Sequence, residues 1–437
     1  MVATTTHSPR RYPGFAATLT HARRGSRNWW RARAGTLLVD LVDRRLQHDR
    51  GSAASARRSV AARRAAEQVS PTTLRRAIHA VIAKVIEGAR PIDVLDALGE
   101  YAKQLNCGGH FGLGGEVYRF MIERARPAGA RHRLSQWYED LGYSLREAGR
   151  RDAASIAYHR GLELADESHD VFARFRLQIA QAHVDRIEHR FDEARALLSS
   201  ALESAEAFGR LDLVVRAGHE AGVLAHDSGH VQDALAFYTR ALHASGYGDG
   251  EHRHGRERLI LDIARALADV GYRTEARNAF ATLATIAQER FTRWIATLNL
   301  LDLATEEPDP WLFDEYRLAL ASTPMSAPLR LFYYARVAEG SVIFGRDAEA
   351  KMHQASAHRL AKRAGLPTPE PRSPDPRRRT IVVDETVVAN LLSTVHEFTS
   401  APRRRVDARY RPLHIESRRG SRRLFLRRGR SPGSDRP

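Results

Sequence analysis

Along the middle of the chain, apolar and small residues recur at helical spacing, and that pattern itself returns about every 40 residues. The segment Asp152–Leu164 (DAASIAYHRGLEL) has a counterpart in Gln232–Leu242 (QDALAFYTRAL). In this register a small residue returns at Gly114, Ala154, Ala194, Ala234 and Ala276. Four residues later stand Tyr118, Tyr158, Leu198, Tyr238 and Phe280, all large and apolar. Twelve residues earlier stand Ala102, Gly142, Ala182, Gly222 and Ala264. Five residues earlier stand Gly109, Gly149, His189, Gly229 and Gly271. One such slot would reflect the abundance of alanine; four slots in register over five units are the mark of an internal repeat.

Each unit predicts a helix, a turn and a second helix. A glycine between two helical stretches adopts the left-handed conformation that ends one helix and reverses the chain. Small residues on the two helices let the backbones approach, and the aromatic of the second helix is expected to fill the space against the next unit. One hairpin cannot bury its apolar face alone, so the units stack. The unit at 178–201 departs from the pattern, with Gln181, Asp185 and His189 where apolar residues and glycine belong. Its first helix is expected to shift and to use Leu177, Ala180 and Val184 instead. A further copy carries Val337, Ala338, Gly345, Ala350 and Ala357. Between them, Phe291–Thr323 reads as a degenerate copy with Trp294, Leu298, Leu301, Trp311, Phe313 and Tyr316, where Pro308 and Pro310 replace the usual turn. The sum is about seven helical pairs across residues 90–365.

This pattern resembles the tetratricopeptide repeat (TPR) family, W-x2-L-G-x2-Y followed by a turn and A-x3-F. The matching residues are Tyr138, Leu141, Gly142 and Leu145, then Gly149, then Ala154 and Tyr158. A second match is Ala221, Gly222 and Ala225, then Gly229, Ala234, Tyr238 and Ala241. A third is Ile263, Ala264, Leu267, Gly271, Ala276 and Phe280. The period is longer than the common 34 and also suits HEAT-like units of 40–47 residues; the A-x3-aromatic signature favours TPR. The resemblance implies an all-α, right-handed α-solenoid of about seven TPR-like helix-turn-helix units. It further implies a non-catalytic protein–protein interaction scaffold or adaptor that binds a peptide or protein segment on its concave face. Carried onto this chain, the ligand-contacting positions are Tyr143, Arg146, Arg176, His183, Arg186, Arg216, His219, His226, Arg258 and Arg265. Most are cationic, so an acidic peptide is the expected ligand, with one ending in a free carboxylate among the candidates, held by bidentate arginine contacts. The three histidines would add pH dependence near their ordinary pKa of about 6.5.

Charge adds domain boundaries. The chain of 437 residues has a formal net charge of +17. Residues 1–69 and 372–437 each carry +10, which leaves −3 for the segment between. We therefore read 1–69 as a basic, mostly disordered segment, apart from a short helix near Thr36–Gln47. Residues 70–365 are the repeat domain. Residues 366–437 are a Pro/Arg-rich linker and basic tail with a short helix at 384–399. Only four lysines accompany the arginines, a ratio that coding bias also produces. The tails, with Trp29, Trp30, Tyr410 and Phe425, offer an alternative role: a regulator whose array senses a partner while the tails contact nucleic acid or anionic lipid. No helix-turn-helix, RNP motif or zinc finger supports sequence-specific readout. No run of 18 apolar residues is present, so no membrane span is expected, and the cytoplasm is the expected location.

Candidate chemistry is sparse. Cys107 is the one cysteine, which excludes an intramolecular disulfide and a cysteine-based zinc site. With His110 it stands in Asn106–Gly115 (NCGGHFGLGG), where a nucleophile–base pair competes with a glycine-rich turn, and the turn is the better reading. The same glycines lack the Gly-Lys-Ser/Thr of a phosphate loop. Asp249, Glu251, His252 and His254 form a possible metal cluster that reads better as a solvated loop, given its basic neighbours. No enzyme activity, cofactor or metal is expected.

Overall fold

The computed structural model describes residues 12–47, 53–126, 128–245, 253–368 and 384–400. Their regular structure is helical throughout, within one compact unit, Met1–Pro402. Four helices come first: α1 (Pro13–His21), α2 (Arg27–Leu46), α3 (Ala53–Glu67) and α4 (Thr72–Ile86). Seven hairpins follow. They are α5 (Pro91–Cys107) with α6 (Phe111–Arg124), α7 (Leu134–Glu147) with α8 (Arg151–Glu167), and α9 (Val171–Ile187) with α10 (Phe191–Ala207). Next come α11 (Leu211–Asp227) with α12 (Val231–Ser245), and α13 (Arg253–Asp269) with α14 (Arg273–Ile286). The last two are α15 (Arg290–Glu306) with α16 (Pro310–Ala321), and α17 (Ala327–Ile343) with α18 (Asp347–Ala364). A final helix, α19 (Glu385–Ser400), packs on α12, α13 and α14 through Val388, Leu391 and Val395.

The long period has a simple origin. Helices α8 to α11 each hold 17 residues, about 25 Å of helix, and start at residues 151, 171, 191 and 211. Two such helices and two three-residue turns make the 40-residue unit. Every turn in this stretch holds one left-handed residue: Gly149 at φ 80°, His169 at 53°, His189 at 60°, Gly209 at 64° and Gly229 at 81°. The residue after it sends its N–H five residues back, as in Arg150 N to Leu145 O at 2.8 Å and His230 N to Ala225 O at 2.8 Å. This is the Schellman arrangement, which satisfies the last carbonyls of the preceding helix. The turns within hairpins fall where the glycine slot predicted them. A second set, between hairpins, was hidden in the sequence because His169 interrupts it.

The small residues sit between paired helices. A Cβ on Gly142 would lie 2.3 Å from a ring carbon of Tyr158, and one on Gly222 would lie 2.4 Å from Tyr238. Ala102, Ala182 and Ala264 are buried in the equivalent places. The aromatic therefore packs on the first helix of its own hairpin, because the absent side chain leaves a socket for the ring there. In the divergent unit Leu177, Ala180 and Val184 are buried as expected, but Gln181 and Asp185 are buried too. Gln181 Nε2 donates to Asp185 Oδ1 at 2.9 Å, and Arg190 pairs with the same carboxylate, so both polar groups are satisfied.

The N-terminal segment corrects the expectation of a mostly disordered stretch over 1–69. Leu37, Leu38, Leu41 and Val42 are buried, but their helix begins nine residues earlier than expected, at Arg27, where Ser26 Oγ accepts the N–H of Trp29 at 3.3 Å. Glu116 of α6 receives the first backbone N–H groups of α1, with Phe15 N donating to Oε2 at 3.0 Å. Arg124 of α6 holds Asp43 of α2 at 2.7 Å. The arginines in this segment had masked its apolar stripe, which begins with short buried side chains such as Ala32 and Ala34.

Candidate functional site

The ten candidate residues all fall on first helices: Tyr143 and Arg146 on α7, Arg176, His183 and Arg186 on α9, Arg216, His219 and His226 on α11, and Arg258 and Arg265 on α13. The opposite face of α11 lines an outer groove of about 640 Å³ with Leu198 and Leu202 of α10 and Phe237 of α12.

The candidates are not a bare cationic row. Nearly every one meets a carboxylate, most often on the neighbouring first helix. Glu139 of α7 receives Arg176 at 2.9 Å and Arg216 at 2.8 Å. His183 meets Glu220 of α11 at 2.8 Å, and Arg186 pairs with Asp227. His219 meets Asp262 of α13 at 2.9 Å, and His226 meets Asp269 at 2.8 Å. Arg265 lies 3.3 Å from the same Asp262, and Arg146 lies 2.9 Å from Glu147. The reading of a cation-lined groove thus missed Glu139, Glu147, Glu220, Asp227, Asp262 and Asp269. The signal was present: the inter-helix pairs are separated by 37 to 43 residues, one repeat period, except Arg216 with Glu139, which lie two periods apart.

The face also closes on itself. Arg258 donates to Tyr143 Oη at 2.9 Å across 115 residues of sequence and to Glu289 at 2.8 Å. Phe111 packs edge-on against both Tyr143, at 6.0 Å, and Phe291, at 5.9 Å. The second and fifth hairpins are therefore joined directly.

Electrostatics follow from this enclosure. Burial pushes the carboxyl of Glu139 up, but Arg216 and Arg176 outweigh it and hold it below the ordinary range. At its neighbour Asp140 the balance reverses; burial and the Glu139 charge outweigh Lys103 and Arg216 and raise it to about 7. Burial and Arg146 depress His183 to about 4, so it is neutral at physiological pH and its expected titration near 6.5 does not hold. Tyr143 is pushed up to about 12, chiefly by burial.

The other candidates fare as follows. Cys107 ends α5 as a free thiol whose pKa burial raises, the opposite of an activated nucleophile. Burial, Arg31 and Arg290 drive His110 down to about 3. His110 stands at the N-terminus of α6, and Gly109 at φ 76° makes the turn. The cluster at 249–254 lies outside the described residues apart from the backbone of His254, as do Tyr410 and Phe425 and most of the C-terminal tail. Trp29 and Trp30 are half-buried and pack edge-to-face at 4.8 Å. Among the described residues no group of three or more His, Cys, Asp or Glu is placed to hold a metal, and no helix is long and apolar enough to cross a membrane.

No family model matches the chain, and no curated protein is similar in sequence. Solved structures are similar in fold. The Rap conjugation gene regulator of the plasmid pLS20, solved in complex with the Phr* peptide, has a TM-score of 0.50 at 12% identity, covering 76% of this chain and 98% of its own. A Rap protein complexed with competence and sporulation factor gives 0.48 at 11%, with the same coverage. BtubC (BKLC) from P. vanneervenii gives 0.36 at 15%, covering 72% of this chain and 97% of its own. At these identities the likeness is one of fold: an array of helical hairpins.

Proposed function

We propose that the protein is a non-catalytic regulatory scaffold of the cytoplasm that binds a peptide, or an extended segment of a partner, along α7, α9, α11 and α13. The observation that carries this reading is the half-buried ladder of paired acids and bases on these four helices. Such a row presents hydrogen-bonding groups at fixed spacing to an extended chain, and little of it is needed to fold a hairpin. The pLS20 regulator, similar in fold, is a peptide complex. The ligand that suits this face carries both charges. Its carboxylates would meet Arg216 and Arg265, the most open of the guanidiniums at 43% and 36% exposure. A purely acidic peptide would have to displace the resident carboxylates first. Nucleic-acid contact through the basic tails has no comparable observation in its favour.

Peptide display against the full chain tests the reading. Enriched peptides should lose affinity at least tenfold in the charge-exchanged pair Arg186→Asp with Asp227→Arg, which keeps an ion pair while reversing what a ligand meets. The reading fails if no peptide is enriched, or if the enriched peptides bind the exchanged pair unchanged.

A further inference from the structure

The arginines of the inner face have carboxylate partners; one deeply buried arginine elsewhere has none. Arg31, on α2, is 6% exposed. Its Nη1 donates to Asn28 Oδ1 at 2.8 Å, and its Nη2 reaches Ser70 O at 3.4 Å. Its Nε is buried without a partner among the described residues. The charged groups whose fields act on it are Arg290, at the start of α15, and Arg27, both cations, with the neutral phenol of Tyr101. Arg124, by contrast, is held by Asp43 at 2.7 Å, and Arg258 by Glu289 at 2.8 Å.

A second orphan donor stands beside it. Tyr101 of α5 is fully buried, and its hydroxyl has no hydrogen-bond partner among the described residues. Gly35 lies one turn on from Arg31 along α2, and a Cβ there would be 2.7 Å from that hydroxyl. The phenol therefore abuts the α2 backbone on the side that carries Arg31. His110, at the N-terminus of α6, feels both Arg31 and Arg290. The cluster holds two guanidiniums, a phenol and an imidazole, and lacks an acid. A buried guanidinium without a counter-charge is strongly unfavourable, and so is a buried donor without an acceptor. One species corrects both: a compact anion rich in acceptor oxygens.

We propose that Arg31, Tyr101, His110 and Arg290 form a binding site for a small tetrahedral oxyanion, with inorganic phosphate as its simplest occupant. The depth of Arg31 excludes bulky phosphate esters. Arg290, which is half-buried, supplies the more open side. Because Arg31 belongs to the N-terminal helices and Arg290 to the sixth hairpin, an occupied site would clamp these regions together, independently of any peptide on the inner face.

The test is a phosphate titration of the full chain at constant ionic strength, with chloride as the control, followed by calorimetry and thermal melting. We expect saturable one-to-one binding and a rise in Tm, both lost in Arg31→Met and weakened at least tenfold in Arg290→Ala and Tyr101→Phe. Should Arg31→Met fail to fold, the other two variants decide. A phosphoserine peptide should not compete with free phosphate, because its ester side is too bulky for a site at the depth of Arg31; competition by it would contradict the site as described. Absence of saturation, or equal binding by Arg290→Ala and Tyr101→Phe, means an adventitious ion only and overturns the proposal.

Discussion

Helices α8 to α11 and the hairpin α15–α16 solve one problem in two ways. In the first stretch each turn is made at the end of the preceding helix, by a left-handed residue. In the second no residue is left-handed: Asp309 N still donates five residues back, to Ala304 O at 2.9 Å, and the turn is completed at the start of the following helix. Asp309 Oδ1 accepts the N–H groups of Trp311 and Leu312, both at 3.0 Å, and Pro310 opens α16. The packing differs too. Tyr158 fills the socket at Gly142 in its own hairpin, whereas Phe313 of α16 fills the socket at Gly340 of α17, where a Cβ would lie 2.1 Å from its ring. Helix α16, of 12 residues, looks forward in this way, and here the aromatic fills space against the next unit as the sequence led us to expect. The lesson is that the repeat is defined by ring-and-socket pairs, and that either turn chemistry can deliver the ring.

Substitutions can break this comparison, and the largest effect should come from the ring. Tyr158→Ala empties a fully buried socket and should cost about 3–5 kcal/mol, read from urea denaturation. Phe313→Ala should cost a similar amount but destabilise α17 as well as α16, visible as lost hydrogen-exchange protection in Ala327–Ile343. Equal protection there would show that the forward socket is not a structural tie. The turns come next. Gly229→Ala places a side chain at φ 81° and should cost about 1–2 kcal/mol. Asp309→Ala removes a cap and should cost about 1 kcal/mol. His189→Gly should be neutral or stabilising by up to about 1 kcal/mol, because the histidine already occupies φ 60°.

A pH-dependent effect concerns the inner face. Asp140 has a folded pKa near 7, above its unfolded value, so the folded state binds the extra proton between about 4 and 7. Stability from this group is therefore lost as pH rises through that window. Asp140→Asn should raise Tm at pH 8 and change it little at pH 4. A uniform shift across the range would show that the substitution acts through packing instead. His183 has the opposite sense: its folded pKa near 4 lies below the unfolded value, so its contribution is lost as pH falls from about 6.5 towards 4.

Much of the fold was legible because ring, socket and turn each demand a residue type at a fixed register. Gly142, Tyr158 and Gly149 announce themselves in any one unit, and repetition makes them secure. Of the first three helices only the second half of α2, near Thr36–Gln47, was legible, since its first half buries alanines and a glycine among arginines, and such a stripe looks polar. The inner face was half legible. The arginines and histidines of α9 and α11 could be placed from the repeat, but their partners lie one or two periods away on other helices. Charge was read helix by helix, and Glu139 or Asp262 has no meaning on its own helix.

The central claim is that ligand contacts fall on the first helices of the hairpins, where the paired charges are, and not in the outer groove between α10 and α12. Hydrogen exchange of the full chain, with and without a display-selected peptide at saturation, tests it most directly. The account predicts slowed exchange in α7, α9, α11 and α13, with α10 and α12 unchanged. Protection confined to α10 and α12 would contradict it.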